Sequence, residues 1–374
     1  MRIAVNTRLL LKDRLEGIGQ FTYETLRRIT KAHPEHHFFF LFDRKFDDSF
    51  LFSDNVTPIV AYPQARHPYL WYLFFELGVP LRIKNIKPDL FLSTDGWIPT
   101  QLDIPVVNVI HDLNFLHHPE FVPPVVRRYY DRFFHRFAQK ATQLATVSEY
   151  SRQDIIRSFQ IAPEKVNVVF SGNNSAYKPL SEEQQAQVKR KFTDGCEYFL
   201  FVGLIHKRKN LDNIFRAFDS FKERNSNTTK LVVVGDKKWW AGDIEETYLK
   251  MRHRDEVLLL GRQPLDVVCE LTASAIAMVY TSLFEGFGLP IVDSFNAHVP
   301  IITSNITAMP EIAGDAAVLV DPYNSDQLAE AMCNLQTDKS LRKVLIEKGV
   351  ARKDLFTWDR TADLLWETVE EVLP

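Results

Sequence analysis

Cysteine is scarce in this chain of 374 residues: Cys196, Cys269 and Cys333 are too few for a disulfide framework and too far apart for a zinc or redox motif, so a reducing compartment is expected. An excess of charge of one sign is lacking too. Forty-five basic against forty-eight acidic residues leave a net charge of −3, which removes the footprint of a nucleic-acid-binding protein. No apolar run approaches the ~20 residues of a membrane-spanning helix. The most apolar stretch, Leu70 to Leu81, is broken by Glu76, Gly78 and Pro80 and reads as a core helix. Asp-x-Asp does not occur, and no His, Cys or Glu cluster has metal-ligand spacing. His33, His36 and His37 read as a solvated helix-to-strand connection, and no metal is expected. Because Ile3-Ala4-Val5 already reads as a buried strand, no signal peptide is expected either. In the cytoplasm, the expected location, the Asn-x-Ser/Thr triplets at Asn55, Asn173, Asn227 and Asn305 carry no meaning.

What remains is ordinary globular stock, 45% hydrophobic and 25% charged, in a chain long for one core and comfortable for two domains. Short apolar runs alternate with amphipathic stretches, the pattern of a parallel sheet covered on both faces by helices. The pattern occurs twice. Strands are expected at Ile3–Val5, Phe38–Phe42, Ile59–Ala61, Leu90–Ser93, Val106–Ile110, Leu144–Val147 and Val166–Val169, and again at Phe199–Val202, Leu231–Val234, Val257–Leu260, Ile276–Tyr280, Pro300–Ile302 and Ala317–Val320. The turn-rich segment from Ser171 to Pro179 reads as the junction. An α/β protein with two doubly wound parallel sheets follows, with ligands at the carboxyl ends of strands.

The densest chemistry lies in Glu285-Gly286-Phe287-Gly288-Leu289-Pro290-Ile291-Val292-Asp293, where two carboxylates eight residues apart flank a glycine-rich turn and a helix start. Gly286 and Gly288 let a ligand approach the backbone, and Pro290 suits an early helical position. The amides of Phe287, Gly288 and Leu289 at such a helix N-terminus are candidates for holding a phosphate, while Glu285 and Asp293, acceptors when ionised, suit sugar or ribose hydroxyls. In Gly203-Leu204-Ile205-His206-Lys207-Arg208-Lys209-Asn210 a strand end delivers cations, of which Arg208 and Lys209 suit a diphosphate.

These strings, with Tyr280 to Phe284 before them and Val299 to Asn305, Met309 to Ala317 and Val320-Asp321-Pro322 after them, resemble the donor half of retaining GT-B glycosyltransferases of the family-4 type, in particular bacterial mannosyltransferases of surface polysaccharides. The resemblance implies two domains facing across a cleft: residues 1–172 on the acceptor side, 173–352 for the nucleotide sugar, and a helix in 353–374 returning to the first domain. It also implies roles. Arg208 and Lys209 would meet the diphosphate, Glu285 the donor sugar, and Asp293 the ribose, where family members carry a second Glu one methylene longer. His111, in Val109-Ile110-His111-Asp112, would donate to a sugar hydroxyl and stabilise charge near the anomeric centre. Gly17 and Gly19, in Glu16-Gly17-Ile18-Gly19-Gln20, would cover the donor; Thr146 to Glu149 would border the cleft, and the backbone of Gly261-Arg262-Gln263 would edge the nucleobase.

The implied reaction moves a hexose, mannose from GDP-mannose, onto a glycan with retention, and needs no cofactor beyond the nucleotide sugar. Rival readings are a nucleotide-sugar epimerase, a phosphorylase, for which no pyridoxal-phosphate lysine motif is evident, and a non-catalytic nucleotide-sugar-binding protein. Residues 125–140 interleave Arg127, Arg128, Arg132, Arg136 and Lys140 with five aromatic residues. Either the aromatics pack into the first domain, or the helix lies peripherally on the inner face of an anionic membrane and meets a lipid-linked acceptor.

Overall fold

The computed structural model describes residues 1–12, 15, 17–225, 227–237, 240 and 242–373. Runs of β-branched and aromatic residues form strands because both faces of each sheet are covered and apolar side chains fit the pleat. In the first half these are β1 (Arg2–Asn6), β2 (His37–Phe42), β3 (Val56–Val60), β4 (Leu90–Ser93), β5 (Val106–Val109), β6 (Gln143–Thr146) and β7 (Val166–Val168). The second half has β8 (Tyr198–Val202), β9 (Lys230–Val234), β10 (Val257–Gly261), β11 (Ala277–Tyr280), β12 (Ile301–Ser304) and β13 (Val318–Val320).

The chain forms two compact units, residues 1–172 with 357 onward, and residues 173–356. The second unit therefore ends four residues beyond the expected 352. Helix Lys339–Lys353 runs past that point, and the amides of Leu355 and Phe356 then turn back to the carbonyls of Arg352 and Lys353.

All strand pairs are parallel, in the order β3-β2-β1-β4-β5-β6-β7 in the first unit and β10-β9-β8-β11-β12-β13 in the second. Each order reverses direction once, between β1 and β4 and between β8 and β11. At such a switch point the connections leave toward opposite faces, and a crevice opens at the carboxyl ends of the two strands.

Two local findings differ from expectation, and a third bears on the alternatives left open for residues 125–140. Leu70 to Leu81 is no simple core helix: helix Pro68–Leu73 passes through a π turn, Phe74–Gly78, into helix Val79–Ile86. Phe74, Phe75 and Val79 are buried, whereas Tyr69, Tyr72, Leu73, Leu77 and Leu81 are exposed. His33 and His36 are only partly solvated, since the His33 ring stacks on Trp366 of the Trp358–Glu370 helix at 3.9 Å between centroids and the His36 ring lies tilted against it at 5.1 Å. In helix Pro124–Lys140, Tyr129, Phe133, Phe134 and Phe137 point into the core, Tyr129 against Trp97 at 5.2 Å, and Arg127, Arg128, Arg132 and Arg136 are exposed. The helix by itself therefore offers no apolar face to a membrane.

Candidate active site

Both switch points carry polar clusters. In the second unit the chain leaves β8 and makes one 3-10 turn, Lys207–Lys209, capped by the His206 ring, which accepts from the Arg208 amide. Asn210 then takes a left-handed conformation and donates to the carbonyls of Thr281 and Pro322, which locks the loop to the end of β11. The loop after β11 brings Glu285 opposite.

Glu285 is 8% exposed and lies between two cations: Oε1 is 2.7 Å from Lys209 Nζ, and Oε2 is 2.7 Å from Arg208 Nη1. Lys209 also donates to the Tyr280 hydroxyl at 2.8 Å, and Arg208 donates to the Phe284 carbonyl at 2.9 Å. Burial alone would raise the Glu285 pKa, but the neighbouring cations more than offset it and hold the carboxyl down at about 2. Glu285 is thus a fixed acceptor at neutral pH. Burial keeps Tyr280 protonated.

Helix Leu289–Asn296 begins directly after this cluster, and its first residues carry the phosphate expectation. Gly288 has φ 100°, a conformation closed to most side chains, and a Cβ there would also press on Ile291 Cδ1 at 3.0 Å. Ile291 donates to Gly288 O and Pro290 has no N–H, while the amides of Phe287, Gly288 and Leu289 have no acceptor among the described residues. Asp293 sits one turn further on. Among the described residues its carboxylate accepts only from the Asn174 amide, at 3.3 Å, and burial pushes its pKa up to about 7.

The ends of β8, β9 and β10 converge on glycines. Gly235 donates to the Gly261 carbonyl at 2.9 Å, and a Cβ on Gly235 would meet Gly203 O at 1.9 Å. The register of β10 slips before Gly261, whose φ is 68°, and Gln263 turns back to donate to Leu260 O. Arg262 follows in the same loop. Gly261, Arg262 and Gln263 thus share the rim on which Arg208 and Lys209 stand, two strands away in the sheet.

In the first unit, His111 follows β5, and its Nε2 donates to Thr94 O at 2.9 Å. Burial lowers its pKa, although the Thr94 carbonyl and the Asp112 and Asp95 charges act the other way. The ring is therefore neutral near pH 7, with its proton on Nε2. Nδ1 is left as an acceptor, which reverses the hydroxyl-donor role expected of His111. Phe21 packs edge-on against this ring at 4.9 Å. Gly17 opens helix Ile18–Ala32 with φ 45°, and a Cβ on Gly19 would meet Leu9 O at 3.0 Å. Glu16 lies outside the described residues. Thr146 bonds to Ile110 O, and Ser148 caps helix Glu149–Phe159.

Sequence reading missed the cluster at the β1/β4 switch point. Asp95 accepts from Asn6, Ser93, the Trp97 amide and Arg8 Nε, the last at 2.6 Å, while the Arg8 guanidinium lies 4.2 Å over Trp97. Polar Asn6-Thr7-Arg8 directly after an apolar strand was the available signal. Among the described residues, three potential metal-binding side chains converge only at His33, Glu35 and His36, at the end of helix Ile18–Ala32.

Comparison with known proteins agrees with this fold. The family profile Glycosyltransferase Family 4 matches residues 15–175, and Glycosyl transferases group 1 matches residues 182–352, together most of the chain. O-antigen chain mannosyltransferase B of Escherichia coli is 25% identical over 360 residues, 93% of this chain and 94% of that protein. Sucrose-phosphate synthase of Thermosynechococcus elongatus superposes with TM-score 0.79 at 15% identity, over 99% of this chain and 98% of that one. Anabaena HepE in complex with UDP and glucose does so with TM-score 0.74 at 16% identity, over 99% of each. With both halves matched in order and both sheets doubly wound, the chain belongs to the family-4 type of glycosyltransferases of GT-B fold.

Proposed function

We propose that this glycosyltransferase moves mannose from GDP-mannose, with retention and without a metal, onto a growing glycan of a surface polysaccharide. The observation that carries the reading is the Arg208–Glu285–Lys209 group at the β8/β11 switch point. Arg208 and Lys209, held in place beside Glu285, meet the donor diphosphate, helped by the amides of Phe287, Gly288 and Leu289, while Glu285 accepts from donor hydroxyls. Each such preorganised donor is typically worth ~3 kcal/mol of transition-state stabilisation. The bond from the anomeric carbon to phosphate oxygen breaks, and its electron pair leaves with the diphosphate. The acceptor hydroxyl attacks from the same face, and its proton passes to a diphosphate oxygen. His111 Nδ1 accepts from a donor hydroxyl, Asp293 from the ribose, and the Gly261-Arg262-Gln263 backbone edges the base.

The mannose reading draws on the Escherichia coli relative, the nucleotide-sugar reading on the Anabaena structure. A thermal-shift panel of nucleotide sugars tests the donor, since a ligand at one hundred times its Kd stabilises by ~2.7 kcal/mol. GDP-mannose is expected to give the largest shift. Proton NMR of the product, formed with and without EDTA, then tests the mechanism: an inverted anomeric centre, or transfer lost on chelation and restored by magnesium, overturns it.

A further inference from the structure

We propose that the first unit docks on an anionic phospholipid surface through an apolar row on residues 69–81, with arginines of the neighbouring helix Pro124–Lys140 meeting the headgroups. The row consists of Tyr69, Leu73, Leu77 and Leu81, four residues apart, with Tyr72 beside them. Their exposures are 72%, 38%, 55%, 61% and 44%. Single exposed apolar residues are normal on a protein surface, but five on one segment are not.

The backbone keeps them in line. In an α-helix four residues overshoot a full circle by about 40°, so a row spaced by four winds around the axis. The π turn Phe74–Gly78 advances less per residue and undoes part of that drift in the middle of the row. On the opposite side, Phe74, Phe75, Val79 and Ile83 anchor the segment in the core. One face is thus bound to the protein, and the other is an apolar ridge.

Beside the ridge lies a groove of about 480 Å³ whose lining includes Tyr69, Tyr72, Leu73, Arg128 and Arg132. Among the described residues no carboxylate lines it. The charge around it decides between occupants. Residues 66–87 and 124–140 hold nine Lys or Arg against two carboxylates, a local +7 in a chain whose total is −3. Of the two, Glu76 is buried and bonded to Thr100, and Asp131 lies 3.4 Å from Arg127. An apolar ridge flanked by unbalanced cations matches a membrane interface, where apolar side chains enter the acyl boundary and Lys or Arg meet anionic headgroups. A second copy of the same +7 surface would be repelled.

This docking goes beyond the proposed reaction and is tested without it. The full chain is co-sedimented with phosphatidylglycerol vesicles and with phosphatidylcholine vesicles. Strong binding to the first and little to the second is expected. Leu77→Glu/Leu81→Glu should reduce binding at least tenfold at every salt concentration. Arg128→Glu/Arg132→Glu should reduce it mainly at low salt, because exposed charges are screened within about 10 Å at 0.1 M. All four positions are exposed, and circular dichroism confirms the fold. Wild-type binding by the leucine pair, equal binding to both vesicle types, or binding to neither overturns the proposal. So does sedimentation equilibrium showing a wild-type dimer that Leu77→Glu/Leu81→Glu makes monomeric.

Discussion

Lys209 Nζ lies 2.7 Å from Glu285 Oε1 and 2.8 Å from the Tyr280 hydroxyl, so one ammonium ties the loop after β8 to the end of β11 across the switch point. The same ammonium stands 4.7 Å over the Tyr280 ring. A cation so placed has few rotamers left to lose when a ligand arrives.

Lys209→Ala and Glu285→Ala are each expected to lower kcat by roughly 10²-fold or more, as removal of a charge-stabilising donor does. Because the two side chains share one contact, the double variant should cost less than the product of the singles. Steady-state transfer assays on variants of wild-type circular dichroism check this, and a near-normal kcat in either single variant refutes the assignment.

This cluster was legible in the sequence because its members sit in short local strings, a strand end with cations and a glycine turn with carboxylates. The strands were legible for a similar reason: residues buried on both faces make continuous apolar runs such as Phe38 to Phe42. The Arg8–Asp95 pair was not, since its partners are 87 residues apart and meet only through the β1/β4 neighbourhood. Nor did helical spacing in residues 125–140 tell which aromatics face the core, because both readings need the same pattern. The π turn in 74–78 left no signal that periodicity detects, and it is what separates Leu77 and Leu81 from the core.

Asp95→Ala removes the acceptor for four donors and leaves Arg8, 9% exposed, without its carboxylate. Breaking a buried pair from one side costs about 3–5 kcal/mol. Urea unfolding should show that loss in the first unit, whereas Arg127→Ala, in an exposed ion pair, should stay within about 1 kcal/mol of wild type. Equal midpoints for the two variants would contradict the burial argument.

Gly235→Ala and Gly261→Ala separate steric from conformational need on one rim. The first places Cβ 1.9 Å from a backbone oxygen that cannot step aside, and the second meets open space but retains φ 68°. A left-handed alanine costs roughly 1–2 kcal/mol, so Gly261→Ala should fold with a lowered Tm. Gly235→Ala should displace the β8–β9 ends and lose far more, read as a larger fall in Tm or as insoluble protein. A Tm within a degree of wild type for Gly235→Ala would show that the rim yields.

Asp293 carries a pH signature. Its ordinary pKa of 3.8 is raised to about 7 by burial, so between those values the folded protein holds a proton that the unfolded chain has released. The stability this contributes is present below about pH 4 and is lost as pH rises toward 7. Asp293→Asn should flatten that part of the stability profile. The ionised carboxylate accepts ribose hydroxyls more strongly than the neutral acid, so nucleoside diphosphate affinity should rise from pH 6 to pH 8 more steeply in wild type than in Asp293→Asn. Phosphate ionisation is common to both proteins and cancels. Asp293→Ala should bind weakly and Asp293→Glu should be tolerated. Calorimetry at pH 8 supplies the decisive comparison: equal Kd values for the nucleoside diphosphate and its 2′,3′-dideoxy analogue would mean that Asp293 makes no ribose contact.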